Sequence, residues 1–329
     1  MASQVLVTTV PFAQRDRYPI DVLDSLNVKY SVNNRGRRLR EDELIEMIQH
    51  VEVLIAGTEP ITARVMDAAP QLELIARVGV GLDNIDLHAA KQRGITVTYT
   101  PEAPAPAVAE LTISHMLSLL RHTHEANIAM RRGEWRRLMG RRISEVSVGV
   151  IGVGRIGNRV VHHLTQLGSP RIFVNDVEDK RSFLPNTHLE WVEKDTIYEE
   201  ADVISLHLPL TRQTTNMITT HHLSQMRPDA LLVNTSRGGI VNEGDLFATL
   251  QEGRLGGVAI DVFTDEPYVG PLNTVARCLL TCHMGSMSED CRIKMEVEAT
   301  EEAARHIQGL PLKCVVPDSE YFLQVDSQD

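Results

Sequence analysis

The sequence predicts an α/β protein built on two doubly wound parallel sheets, and three observations carry that expectation. Short apolar runs alternate with segments of helical period along both halves of the chain, the pattern of parallel strands covered by helices on both faces. A proline-dense stretch, Pro101-Glu102-Ala103-Pro104-Ala105-Pro106, interrupts the alternation. In the second half one apolar run, Val148 to Ile151, empties into Gly152-x-Gly154-x-x-Gly157 and then into a helical pattern.

In the first hundred residues, strands are expected at Val5 to Thr9, Lys29 to Ser31, Val53 to Ala56, Leu74 to Arg77 and Thr96 to Tyr99. Helical spacing between them marks Ile20 to Leu26, Glu41 to His50, Ala63 to Ala69 and Leu87 to Arg93. The proline run reads as a linker, because prolines at that density continue neither a strand nor a helix. Ala107 to His124 follows as one long helix whose apolar residues Val108, Leu111, Met116, Leu119 and Leu120 predict burial. A basic segment, Arg131 to Arg137, leads to the glycine-rich element and its helix, Asn158 to Leu167. Later strands are expected at Arg171 to Val174, Asp202 to Leu206, Ala230 to Asn234, Gly257 to Asp261 and Cys278 to Thr281, for six or seven in this half. Ser286 to Gln308 is a second long helix pattern, and the polar tail from Asp318 is expected to be loosely held.

Composition narrows the function classes. A formal net charge of -11 argues against a nucleic-acid partner, since phosphate binding needs a basic surface. No stretch approaches the roughly 20 uncharged apolar residues of a membrane span, and the chain enters a strand pattern at once, so neither membrane insertion nor a signal peptide is expected. The cysteines, Cys278, Cys282, Cys291 and Cys314, form no disulfide framework and suggest a reducing cytoplasm. Cys278, Cys282 and His283 lack a second ligand pair at zinc spacing, so no metal is expected.

The glycine motif specifies a ligand. A pyrophosphate sits well against the unpaired amides of a helix N-terminus, where the helix dipole favours negative charge. A side chain on Gly152 or Gly154 would block that approach, and one on Gly157 would push the helix off its strand. The next strand ends in Asn175-Asp176; an acid there accepts hydrogen bonds from both ribose hydroxyls of NAD and repels a 2'-phosphate, as do the nearby Glu178 and Asp179. NAD is therefore the expected cofactor. Polar residues gather at the expected carboxyl ends of the later strands, Asp176, His207, Arg237, Asp261 and His283, where a doubly wound sheet binds its ligands.

A series of segments, in order, resembles the NAD-dependent D-2-hydroxyacid dehydrogenases, and most closely their 3-phosphoglycerate dehydrogenase branch. They are Arg77-Val78-Gly79-Val80-Gly81-Leu82-Asp83-Asn84-Ile85-Asp86, Ala109-Glu110-Leu111, Gly152 to Gly157, His207-Leu208-Pro209-Leu210-Thr211, Asn234-Thr235-Ser236-Arg237-Gly238-Gly239, Asp261 to Pro267 and Thr281-Cys282-His283. The resemblance implies a Rossmann-type NAD-binding domain, residues 106–286, inserted into a flavodoxin-like substrate-binding domain made of residues 1–105 and 287–329. It further implies an active site in the cleft between them and homodimerisation through the region from Ala107 to Arg137.

The resemblance also assigns roles. His283 is the expected acid-base group and Glu266 its partner; a carboxylate hydrogen-bonded to an imidazole fixes the ring's tautomer and favours the imidazolium. Arg237 is the expected cation for the substrate carboxylate and the reacting carbonyl, a task suited to its planar fork. Val80 and Gly81 offer backbone amides to the carboxylate, and Arg77 matches a substrate-side arginine. Arg155, Ile156, His207, Pro209, Thr235, Ser236, Asp261 and His283 join Gly152, Gly154, Gly157 and Asp176 around the cofactor, with Asp261 as acceptor for the nicotinamide carboxamide. Related formate dehydrogenases have glutamine in place of Glu266, so Glu266 points to a hydroxyl-bearing substrate. Ala56 stands where phosphoglycerate enzymes hold substrate phosphate with arginine. The expected substrate is a small 2-hydroxy or 2-keto acid, phosphoglycerate-like, phosphonate or dicarboxylate where it carries a second anionic group. An NAD(H)-sensing corepressor-like binding protein on the same scaffold is the alternative. His162-His163 and His221-His222 are expected to be solvated.

Overall fold

A computed structural model of the chain describes residues 4–178 and 189–324. Asp179, expected to add charge near the cofactor, lies outside the described residues, as does the tail beyond Gln324. The chain divides into two compact units, Met1–Pro104 with Met287–Asp329, and Ala105–Ser286.

The first unit is a five-stranded sheet of β1 (Gln4–Val7), β2 (Lys29–Val32), β3 (Val53–Ala56), β4 (Leu74–Arg77) and β5 (Thr96–Thr98), in the order β2-β1-β3-β4-β5. Every pairing is parallel and the order is that of the flavodoxin-like sheet. β3 and β4 are buried along their whole length, which is why they read as continuous apolar runs rather than alternating ones. Helix Glu289–Ile307 belongs to this unit and buries Cys291, Met295, Ala299 and Ala303. On the same helix Arg292 and Glu296 form a buried ion pair at 2.8 Å, with Glu296 also accepting from the Ala13 amide at 2.7 Å. The tail is not loose up to Gln324: helix Asp318–Leu323 forms, and the Gln324 side chain accepts from Leu87 N and donates to the carbonyls of Leu82 and Ile85.

The second unit holds seven parallel strands: β6 (Ser147–Ile151), β7 (Arg171–Asn175), β8 (Leu189–Trp191), β9 (Val203–Leu206), β10 (Leu231–Asn234), β11 (Gly257–Ile260) and β12 (Cys278–Leu280). Their order, β12-β11-β10-β9-β6-β7-β8, reverses between β6 and β9, the switch point at which a doubly wound sheet opens a ligand crevice. Helix Arg155–Gln166 covers one face through Val160, Val161 and Leu164.

Two helical expectations change. The helix after the prolines begins at Ala105, inside the proline run, because a first-turn proline loses only an amide that would be unpaired anyway. It stops at Leu120; His122 turns into the left-handed region at φ 53°, and a second helix, Thr123–Arg131, takes up part of the basic segment. His222 is not simply solvated either, since its ring caps helix Thr220–Gln225, with Nδ1 3.1 Å from Thr219 Oγ1.

Candidate active site

The glycine-rich turn joins β6 to helix Arg155–Gln166, and its three glycines answer to different neighbours. Gly152 sits at φ +92°, and a Cβ there would lie 2.3 Å from the His207 carbonyl oxygen. A Cβ on Gly157 would fall 2.0 Å from the Gly152 carbonyl oxygen, so the first helical turn lies directly on the loop. Gly154 differs: a Cβ there meets nothing within 4 Å, and its residue opens the helix without any side-chain cap. Open space thus coincides with a helix N-terminus at Gly154, while Gly152 and Gly157 are held by the protein's own backbone. Arg155 is exposed and Ile156 half-buried in the first turn beyond it.

Asp176 follows β7 and its carboxylate accepts from Val153 N at 2.7 Å and from Glu178 N at 3.0 Å. Neighbouring Asn175 turns the other way, donating to Val192 O at 2.7 Å, so the acid and not the amide addresses the glycine loop. His207, just past β9, places Nε2 2.8 Å from Ser205 Oγ. Its Nδ1 is buried with no hydrogen-bond partner among the described residues, and burial pushes the ring down to about 3. An orphaned imidazole nitrogen beside an open helix N-terminus suits a polar ligand that supplies the missing partner. Pro209 is exposed in the same loop, with its carbonyl accepting from Thr214 Oγ1 at 2.6 Å.

The side chains expected to carry the chemistry, Arg237, Glu266 and His283, come from the loops after β10, β11 and β12, three neighbours in the sheet. After β10, the Asn234 side chain staples its loop by accepting from Ser236 N and Oγ and donating to Arg237 O. Thr235 is buried with its hydroxyl 2.7 Å from that of Thr112, and Ser236 is buried too. Arg237 is half-buried, with Nη1 donating to Ser236 O at 2.6 Å. A Cβ on the next residue, Gly238, would lie 2.0 Å from the Phe263 carbonyl, so the arginine loop runs against the loop after β11. That loop turns at Glu266, whose Oε1 accepts from Phe263 N at 3.0 Å.

Glu266 meets His283 Nδ1 through both oxygens, at 3.0 and 2.8 Å. The carboxylate can only accept, so Nδ1 carries the hydrogen and, in the neutral ring, Nε2 does not. His283 stands at φ 48°, a left-handed conformation uncommon for histidine. Its amide donates to Asp261 O at 2.7 Å, and the two following amides, Met284 and Gly285, donate to the Asp261 carboxylate at 2.9 Å each. Asp261 itself is fully buried. Its carboxylate is engaged by the His283 loop.

The substrate-side residues of the first unit are likewise sorted by their contacts. Arg77 is only 7% exposed and points into its own loop, donating to Val78 O and to Gly81 O at 3.0 Å. Through these bonds it shapes the turn. Those bonds draw two carbonyls inward, and the half-buried Val80 and Gly81 follow with amides that make no bond among the described residues.

The family of D-isomer-specific 2-hydroxyacid dehydrogenases, through the description of its NAD-binding domain, matches residues 113–285. This span contains every strand of the second unit and each residue of the Glu266–His283 pair. The chain belongs to that family. It is 33% identical over 309 residues to a hydroxypyruvate reductase of Thermotoga maritima, covering 88% of this chain and 99% of that one. A D-3-phosphoglycerate dehydrogenase of Synechocystis is 32% identical over 84% of this chain, which spans only 51% of that longer protein. A solved structure of a Thermus thermophilus protein superposes with a TM-score of 0.87 at 32% identity, over 95% of this chain and all of that one. As a D-2-hydroxyacid dehydrogenase, the protein is an NAD-dependent oxidoreductase acting on the CH-OH group of its donor.

Around this site, sequence reasoning missed His115. It lies in an apolar helix, Ala105–Leu120, where helical period assigns it to packing, and only the three-dimensional structure puts its ring beside Thr281.

Proposed function

We propose that the protein reduces a short, unphosphorylated 2-keto acid to the D-2-hydroxy acid. The observation that carries this reading is the two-oxygen contact of Glu266 with His283 Nδ1, on a loop against the one that bears Arg237. NADH, when bound, supplies the hydride. The residues then have separate tasks. Arg237 polarises the keto oxygen and pairs with the carboxylate, as a planar guanidinium does well. His283 delivers a proton from Nε2 to the oxygen as charge develops there, and Glu266 holds the ring and stabilises its charged form. Gly154, the amides of the first helical turn and the orphaned His207 Nδ1 fit the dinucleotide, and Asp176 its ribose. Val80 and Gly81 offer a carboxylate cradle.

Two features favour a substrate without phosphate. Ala56 is fully buried and offers no cation, and in the next turn Glu59, 1% exposed, places a carboxylate 3.1 Å from Gly57 N. Near full-length likeness to a hydroxypyruvate reductase supports the same class. The sensor alternative has no support of this kind, for the relatives above bear the names of enzymes.

Steady-state NADH oxidation over glyoxylate, hydroxypyruvate, pyruvate, a phosphonate, a dicarboxylic keto acid and phosphohydroxypyruvate tests the proposal. The short unphosphorylated acids are expected to give the highest kcat/KM. Arg237→Ala and His283→Ala should each lose at least about 100-fold in kcat while still binding NADH. Turnover of none of the panel, with NADH bound, would favour the sensor. A homodimer is the proposed state, with exposed Trp135 and Met139, 80% and 94% accessible, at its interface, and sedimentation at a single monomer mass would contradict it.

A further inference from the structure

The structure assigns a role to a buried histidine outside the reactive pair. His115 is 3% exposed, and its Nε2 lies 3.1 Å from Thr281 Oγ1. Thr281 in turn donates its hydroxyl hydrogen to Asp261 Oδ1 at 2.5 Å. A threonine hydroxyl has one hydrogen, so with that hydrogen committed to the carboxylate its oxygen can only accept from the imidazole. His115 is thereby fixed as the Nε2–H tautomer, in keeping with burial holding it below the ordinary histidine value. The chain of donors runs His115 Nε2–H to Thr281 Oγ1–H to Asp261 Oδ1.

Asp261 is where this chain meets the chemistry. Its Oδ1 also takes Met284 N and its Oδ2 takes Gly285 N, while its backbone carbonyl takes His283 N. Three successive amides therefore converge on one residue, holding His283 at φ 48°. A carboxylate has about four acceptor positions, and those named contacts use three. The direction of the carboxylate within its pocket is set by the Thr281 hydroxyl, the one side-chain donor in the group.

We propose that His115 is a positioning residue for the catalytic imidazole: it orients Thr281, Thr281 orients Asp261, and Asp261 sets the backbone from which His283 projects. This rests on the proposed role of His283. Losing the His115 N–H leaves Thr281 free to rotate its hydroxyl away from Asp261, so the amides of Met284 and Gly285 loosen and Nε2 wanders from its working position. Small displacements of a proton donor are costly to turnover and leave dinucleotide affinity alone.

Comparison of His115→Met, which keeps volume but has no N–H, with His115→Gln, which returns an N–H near the same reach, tests this. His115→Met should lower kcat about 10-fold, the factor one hydrogen bond of ordinary net worth converts to, with the NADH Kd within about twofold. His115→Gln should recover most of it. Thr281→Val should lose as much as His115→Met, and the double variant no more than either alone, since both break one chain. Amide exchange at Met284 and Gly285 should quicken in His115→Met and Thr281→Val and be restored in His115→Gln. If His115→Met does not fold, the Thr281→Val and Thr281→Ser pair decides the same question, with serine retaining activity. A kcat within twofold of the parent in the folded valine or methionine variant, additive losses, or unchanged exchange would overturn the proposal. Exchange is read without turnover, so a parent that reduces no keto acid would refute the proposed function while leaving this measurement decisive.

Discussion

Glycine 154 and glycine 157 occupy one motif, yet their alanine variants should fail in opposite ways. For Gly154→Ala the protein offers open space, nothing lying within 4 Å of the added carbon, and φ -78° is an angle any residue accepts. Two small energies then compete. Alanine narrows the unfolded ensemble, worth about 0.4–1 kcal/mol, but is a poorer helix N-cap than glycine by about 0.5–1 kcal/mol. They nearly cancel, so the melting temperature should move by no more than about 3 °C. For Gly157→Ala the added carbon falls 2.0 Å from the Gly152 carbonyl oxygen, far inside contact distance, and the atom struck is backbone that cannot swing aside. The helix must lift off the loop at a cost of about 2–4 kcal/mol, a melting temperature lower by some 5 °C or more. Nucleotide affinity is the second axis. If pyrophosphate lies against the open amides of this helix, the methyl of Gly154→Ala intrudes on it, and the NADH Kd should rise by more than about 10-fold in a protein as stable as the parent. The assay is differential scanning fluorimetry beside a titration of NADH fluorescence. A Gly154→Ala variant that binds NADH like its parent would refute the placement of the cofactor, whatever Gly157→Ala does.

Three further outcomes are expected. Burial holds His207 at about 3 against an ordinary 6.5, so the unfolded chain takes up this proton first. Its contribution is complete above about pH 6.5 and is lost as the pH falls toward 3, at about 1.4 kcal/mol per unit; His207→Gln should therefore flatten the pH dependence of the urea midpoint between pH 6 and 4.5, and an unchanged slope would count against the buried neutral ring. Arg77→Met leaves the buried Val78 carbonyl and that of Gly81 without their donor and should destabilise the protein by about 2–3 kcal/mol. It should also raise KM for the keto acid about 10-fold with the NADH Kd unchanged, and Arg77→Lys should not restore it, because one ammonium cannot copy the fork; a KM equal to the parent's would separate Arg77 from the carboxylate cradle. In Glu266→Gln the His283 ring keeps a hydrogen-bond acceptor but loses the charge beside it, and kcat should fall by about 10- to 100-fold with melting temperature nearly unchanged, so retained kcat would sink the acid-base role of the pair.

The fold was legible because parallel strands buried on both faces leave an apolar run, unbroken in β3 and broken only at the last residue, Arg77 and Asn234, in β4 and β10. β8 escaped notice: three residues at the sheet edge, none fully buried, give neither a run nor an alternation. The break at His122 also escaped, since helical period continues through it and only the backbone turn at φ 53° reveals it. At the site, residue identity and order pointed to Glu266 and His283, whose pairing needs only that their loops be neighbours. Direction is what sequence does not carry. Arg77 and Asp261 are of the right type in the right segment, yet both turn inward, one onto its own carbonyls and the other onto the amides of the His283 loop.

That inward turn exposes a division of labour across the second sheet. All seven strands run parallel, so every loop after a strand opens on one edge, and the order β12-β11-β10-β9-β6-β7-β8 sets which loops are neighbours. Asp176, the glycine turn and His207 follow β7, β6 and β9; Arg237, Glu266 and His283 follow β10, β11 and β12. With strands about 4.8 Å apart, Asp176 and Arg237 are separated by three spacings, about 14 Å, and Arg237 and His283 by two, about 10 Å. The first distance asks for an elongated ligand lying across the edge, and the second for a small one whose polar atoms a guanidinium and an imidazole reach from either side. A sheet with the same strands in the order of the chain would put β7 and β8 between β6 and β9, leaving the acid beside the glycine turn but moving His207 three strands away from it. The chemistry therefore depends on the reversal of strand order at β6 as much as on the identity of any side chain.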